Sequence, residues 1–431
     1  MYDFAKAILL IVALGVLAAC GGGSSSSSDV KTQLRIVNVS PATGIVKVSL
    51  AGIVAADSLP FHAATAYVSI ASGSPEFTVF SSTTGAVLYD VTNLSISSGT
   101  RSTVFIYGGG TNVTATLMTD DTTAASAGHF SLRLSHSATG IGALDVYLLA
   151  ASMSLQDATP ASSGLAYAAT TGFAEYASGT YTVVITPAGT KEVIYDSGTQ
   201  TFAEAGRVTL LVFGAGSSKL VNAALLQDDG SGTTTFPDNR YARVRFMNAV
   251  PEVPAADLIF DGSVAFAGVP LGGLSSYGLA AAGGRNVKVQ ASNAPGTYLY
   301  DGSRTLGAAG DYSLIAYGAA SGGSVSLLAL LDNNLPPTSG KAKLRFVNAV
   351  SDGGAYDAYA NDAVLLSNMG FATASTYQLV DPGAFSLGYA STGSGQQAVR
   401  LSGQQLDTGH IYTIILFGRA GNLAAVLAAD G

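Results

Sequence analysis

The sequence has no tryptophan, one cysteine, four histidines and only 11% charged residues in 431 positions. A single cysteine excludes an intrachain disulfide, a thiolate zinc centre and any cysteine pair working in redox chemistry. His62, His129, His136 and His410 are the whole histidine supply, which leaves little for general-base or metal chemistry. The missing tryptophan removes the ring that sugar-binding sandwiches most often stack on a glycan. Twenty basic residues stand against 28 acidic ones, a formal charge of -8. No Lys/Arg cluster exists to neutralise a row of phosphates, so a nucleic-acid partner is excluded. The apolar run from Ala7 to Ala19 is too short to cross a bilayer.

What is abundant points to strands. Apolar residues make up 48% of the chain, with 52 glycines and 20 tyrosines. That is ample material for buried cores, and Gly, Ser, Thr and Val favour short strands joined by tight turns. The length exceeds what one core serves and predicts several domains.

The N-terminal run suits the apolar centre of a secretory signal peptide over residues 1–19. It ends in Leu17-Ala18-Ala19-Cys20, which resembles the bacterial lipobox. The resemblance implies cleavage before Cys20 and acylation of that residue, and two or more acyl chains hold a protein on a membrane stably. Residues 20–31, with Gly21-Gly22-Gly23 and the serines 24–28, read as a flexible tether. Gly21, in place of an aspartate after the cysteine, resembles the sorting signal for the outer membrane.

Beyond the tether, markers recur in fixed order roughly every hundred residues. Opening strands contain Arg35, Arg133, Arg245 and Arg345, and late strands end in Tyr107-Gly108, Phe213-Gly214, Tyr317-Gly318 and Phe417-Gly418. Tyr89-Asp90, Tyr195-Asp196 and Tyr300-Asp301 lie between them, with Arg400-Leu401 at that place in the fourth repeat. Repeats of this length are whole domains, placed at 32–122, 128–229, 240–334 and 341–431. Turn residues punctuate the fourth at intervals that give about seven strands, the pattern of two antiparallel sheets packed face to face. In its first strand Leu344, Phe346 and Val350 share one face and Lys343 and Arg345 the other, which predicts a half-buried strand. Residues 411–417 are nearly continuous in apolar character and predict a more fully covered one.

No residue set emerges as catalytic. The histidines occupy different places in their repeats without a recurring acidic partner, and read as surface or strand-end residues. Neither a Gly-x-Ser-x-Gly elbow nor a phosphate loop occurs, and Gly393-x-Gly395-x-x-Ala398 falls in a predicted hairpin with no helix after it. No cofactor is expected. Asn38, Asn248 and Asn348 close opening strands and are expected to cap the backbone there; Asp145, Asp257 and Asp357 are expected to bind nearby turn amides. Asp120-Asp121, Asp228-Asp229 and Asp332 stand where one repeat passes to the next and read as solvated linker residues. Calcium at these junctions is the alternative, though the calcium-loop spacing of acidic residues is absent.

The third repeat carries a further likeness in Val244-Arg245-Phe246-Met247-Asn248-Ala249-Val250-Pro251, then Val253-Pro254-Ala255-Ala256-Asp257 and Asp261-Gly262. This resembles the bacterial domain of unknown function 4397, whose modules open with a strand, a Pro-containing turn, an Asp-led second strand and a glycine turn. The fourth repeat keeps Asp357 but has Ser351 where the third has Pro251; the second keeps Asp145-Val146-Tyr147, and the first has Lys47 in place of the Asp. The resemblance implies an exported or lipid-anchored envelope protein of immunoglobulin-like sandwiches and supplies no catalytic residues. The resulting expectation is an all-β, four-module, non-enzymatic lipoprotein at the bacterial outer membrane, acting as spacer, adhesive or protein-binding array. A carbohydrate- or polymer-binding accessory lipoprotein is the alternative.

Overall fold

The opening strands of the first, third and fourth modules carry two apolar series on opposite faces, and both are buried. Leu34 and Ile36 enter the core of their own module, while Val37 and Val39 join a second cluster with residues of the next one. The computed structural model describes residues 31–430 apart from 42, 110–111, 122, 217, 322 and 338–339; Cys20, the signal segment and most of the tether lie outside them. Among the described residues every regular element is a strand, and no helix is long and apolar enough to cross a membrane.

The all-β expectation holds, as four modules of two sheets each. In the third module one sheet has the order Gly278–Ala281, Tyr241–Asn248, Asp311–Tyr317, Ser326–Leu331. The other has the order Ser263–Pro270, Ala255–Phe260, Gly283–Ala291, Tyr298–Leu306. The remaining modules repeat this plan, so the first will be called the inner sheet and the second the outer sheet. Two features depart from the sequence reading. The opening strand pairs in parallel with the late strand in every module, as Arg245 opposite Ser313, so the sandwich is not purely antiparallel. The fourth module also has more strands than seven, because short pieces such as Thr373–Ala374 and Gln378–Val380 add to the opening strand without any alternating pattern to announce them.

A third correction concerns the half-buried strand. Leu344 and Phe346 do face the module core, but Val347 and Ala349, on the face of Arg345, are buried against Met247, Ala249 and Ile315 of the third module. Arg345 itself is buried. The inner sheets of modules 3 and 4 therefore pack on one another, as those of modules 1 and 2 do through Val37, Phe105 and Met118 against Leu211, Phe213 and Leu226. The late strand Ile411–Arg419 is covered on both faces as expected, with Ile414 and Leu416 in the module core and Ile415 and Phe417 in the shared cluster.

The strand-closing asparagines do hold the turn that follows. The Asn248 amide donates to the carbonyls of Val253 (2.8 Å) and Val269 (3.3 Å) while its oxygen accepts the Val250 N–H. Asn38 and Asn348 act alike. In the second module His136 takes this place: Nδ1 accepts the Ala138 N–H and Nε2 lies 3.0 Å from the Gly142 carbonyl. Asn248→Ala leaves two buried carbonyls without their donor and should cost about 1–3 kcal/mol of stability, read from the urea midpoint; an unchanged midpoint would refute the capping role.

Candidate functional site

The recurring polar residues converge on the seam between paired modules. Alternation puts the opening-strand arginine on the face opposite its own core, and the parallel register sets a hydroxyl beside it. Arg35 Nε donates to Thr103 at 2.9 Å, Arg133 to Thr209 at 2.9 Å, Arg245 to Ser313 at 2.7 Å and Arg345 to Thr413 at 3.2 Å. The far end of each guanidinium then crosses to an aspartate that closes the last strand of the partner module. Arg35 meets Asp228 at 2.9 Å and Arg133 meets Asp120 at 3.4 Å; Arg245 meets Asp430 at 2.7 Å and Arg345 meets Asp332 at 2.5 Å. The exchange is reciprocal within each pair, and all four carboxylates are fully buried.

Each carboxylate oxygen in the set has at least one donor. Asp120 also accepts from Thr103 and Tyr67, Asp332 from Ser313 and Tyr277, and Asp430 from Thr413 and Tyr377. The same tyrosine rings lie under the guanidinium groups, with Arg345 4.6 Å from the Tyr377 centroid and Arg35 4.9 Å from that of Tyr67. Burial first, then the neighbouring carboxylates, pushes the Tyr67 and Tyr277 hydroxyls well above their ordinary pKa, which keeps them as donors. Module 2 departs, with Phe173 under Arg133 where the others have tyrosine. Asp228 thus lacks that hydroxyl, and its pKa is raised, chiefly by burial and then by the Asp120 charge, against the pull of Thr209, Arg35 and Arg133. Arg245 is raised as well: burial alone would lower it, but Asp430, Tyr277 and Asp332 outweigh that.

These positions overturn the solvated-linker reading of Asp120, Asp228 and Asp332, which are buried and engaged by arginine and hydroxyl donors. Each is buried because its strand ends inside the module pair, not in the linker beyond it. Asp121 and Asp229 do lie outward, the first paired with Arg207 and the second accepting the Ser231 N–H. Among the described residues no group of three or more His, Cys, Asp or Glu is placed to hold a metal. Asp145, Asp257 and Asp357 bind turn amides as expected; Asp357 accepts the N–H groups of Asn368 and Gly393, which lower its pKa. Gly393 and Gly395 lie in the turn joining Gly383–Ser391 to Gln397–Leu406, the expected hairpin. His129 begins a strand and His410 stacks on Tyr412. His62 is no surface residue: it sits among Phe61, Phe213 and Phe236, and burial lowers its pKa despite the nearby Asp238.

The family model described as Domain of unknown function (DUF4397) matches residues 32–147, 242–355 and 342–431, together more than half of the chain. Residues 148–241 fall outside these windows, yet the second module keeps the same sheet order and the Arg–Thr–Asp set. A comparison with curated proteins finds no match. Among solved structures the chain is similar, at 13% identity, to a family 26 carbohydrate-binding module from Eubacterium rectale in complex with maltoheptaose. The match covers 44% of this chain and 98% of that one, with a TM-score of 0.16. It is also similar, at 10% identity, to the Bacillus anthracis TIE protein, covering 87% of this chain and 66% of that one with a TM-score of 0.15.

Removing one member of a buried, hydrogen-bonded pair strands the other charge. Arg245→Met should cost about 3–5 kcal/mol in chemical unfolding, and adding Asp430→Asn to it should restore part of the loss. Additive losses would show that the two side chains do not interact.

Proposed function

The chain belongs to the family described as Domain of unknown function (DUF4397), and on that premise we propose that it is a non-enzymatic, lipid-anchored cell-envelope protein. Its β-sandwich modules act as a spacer and protein-binding array, fixed to the membrane through Cys20 and set off from it by the Gly/Ser tether of residues 20–31. The observation that carries this reading is the reciprocal Arg–Asp exchange. The recurrent charged residues are committed to locking modules into pairs, and a locked pair holds its outer sheets and loops at fixed distance and orientation.

The outer sheets supply what such an array offers to partners. Their edge strands carry exposed apolar residues at matching turns, Ile53 and Val54 in the first module, Val264 in the third, Val364 and Leu365 in the fourth. Single apolar residues on edges suit contacts with another polypeptide rather than an enclosed small-molecule site. Gly21 after the anchor favours the outer membrane as the site of attachment.

The anchor is tested by Cys20→Ala. Wild-type protein should incorporate labelled palmitate and sediment with membranes, and the variant should do neither. A wild-type chain that takes up no label and stays in the soluble fraction would remove the anchor and the spacer reading with it.

A further inference from the structure

The two module pairs differ at the outer edge of the closing strand. In the first pair, the segment after Asp228 folds back along its own module: Thr234–Thr235 adds to the outer edge of the closing strand Val221–Gln227, with Leu225 opposite Thr235 and Leu226 opposite Thr234. The Gln227 N–H donates to the Thr233 carbonyl at 2.9 Å. This segment lies in a groove whose other wall is residues 62–67 of module 1. Gly232 packs so closely on Tyr67 that an added Cβ would come to 3.0 Å of its ring. Phe236 closes the far end against His62, with ring centroids 4.7 Å apart, and Phe213.

The second pair has the same groove. Val208 pairs with Gln227 as Tyr412 pairs with Ala429, and Thr209 with Leu226 as Thr413 with Ala428, so the outer edge at Leu427 and Ala429 matches that at Leu225 and Gln227. The opposite wall, Gly272–Tyr277, matches residues 62–67, and its first residue holds the left-handed conformation in both, φ 69° at His62 and 74° at Gly272. Phe417 stands for Phe213. Among the described residues no strand adds to this edge, since Asn422–Asp430 is the last strand of its sheet. The groove encloses about 650 Å³ between Gly272–Tyr277 and Val426–Ala429. Where Leu225 and Leu226 are buried, Leu427 and Ala428 are only half-buried, and Leu271 at the rim is 40% exposed.

We propose that the groove between Gly272–Tyr277 and the edge strand Asn422–Asp430 is a strand-addition site for an extended peptide segment of a partner protein. The occupant is a run of β-branched polar residues followed by an aromatic, the chemistry of Thr233-Thr234-Thr235-Phe236. Backbone hydrogen bonds to Leu427 and Ala429 supply the pairing, and the aromatic ring covers Leu271 and Phe417. In the first pair the equivalent groove is filled by such a segment of this chain, so the backbone geometry accepts one without rearrangement. The inference deepens the protein-binding part of the reading above and rests on it only for the pair holding both walls in place.

The probe is a fluorescein-labelled peptide of residues 229–238, titrated into the full chain kept in solution by Cys20→Ala and followed by anisotropy. Saturable binding is expected, weakened at least about tenfold by Phe236→Ala in the peptide. Ala429→Pro removes the outward N–H at an edge position that tolerates proline and should weaken binding to a similar degree. Leu271→Asp, an exposed change that leaves the backbone intact, should do the same and serves if the proline variant does not fold. No binding, or binding that both variants leave unchanged, would overturn the proposal. So would a concentration-dependent dimer abolished by Ala429→Pro, which gives the groove to a second copy. None of these results bears on membrane attachment, so the anchoring experiment can stand or fall separately.

Discussion

The structure depends on a charge exchange hidden between sheets. Taking a guanidinium and a carboxylate out of water costs several kcal/mol per ion, and attraction between the two offsets that only when the remaining donors and acceptors are filled. Here the fold supplies the partners: the parallel neighbour a hydroxyl, the segment leading into the edge strand Gly278–Ala281 a tyrosine, and the partner module the counter-ion. Mispairing has a steep penalty under these conditions. An inner sheet set against any other surface would leave a buried arginine facing apolar groups, so the same charges that contribute little to net stability fix which faces meet and in what register.

That constraint explains the architecture on either side of it. The opening and late strands of the inner sheet are buried on both faces, whereas the outer sheet has one wet face and alternates. It also separates the two kinds of junction. Within a pair, the seam is a double ion pair set in an apolar cluster. Between the pairs, Asp311 at the start of the late strand of module 3 accepts from Ser218 of module 2 at 2.7 Å, Asn239 donates to the carbonyls of Ile194 and Val221, and Ala309 packs into the module 2 core.

Much of this was legible in the residues, and what was not has a physical reason. The repeat, the all-β class, the asparagine caps and the Asp357 type of turn contact follow from local patterns, because each is satisfied within a few strands of the same module. Pairing of modules is not local. Arg345 sits in an alternating strand, and a charge at a non-core position ordinarily faces water, which is why the half-buried reading came out wrong. The signal was present nevertheless: Val347 and Ala349 follow Arg345 on one face, an apolar series that a solvated surface has no use for. The junction aspartates misled for the same reason, since Asp120 and Asp121 look equivalent in sequence while alternation turns one into the seam and the other to solvent. His136 was invisible as a substitute for asparagine, because only the fold shows that an imidazole with one donor and one acceptor nitrogen can do the work of an amide.

The central claim is that the cooperative unit is the module pair. Differential scanning calorimetry of the full chain tests this most directly. Two transitions, each with a calorimetric enthalpy matching its van't Hoff enthalpy for a pair of modules, are predicted. Four separate transitions of single-module size, unaffected by removing a seam arginine, would contradict it.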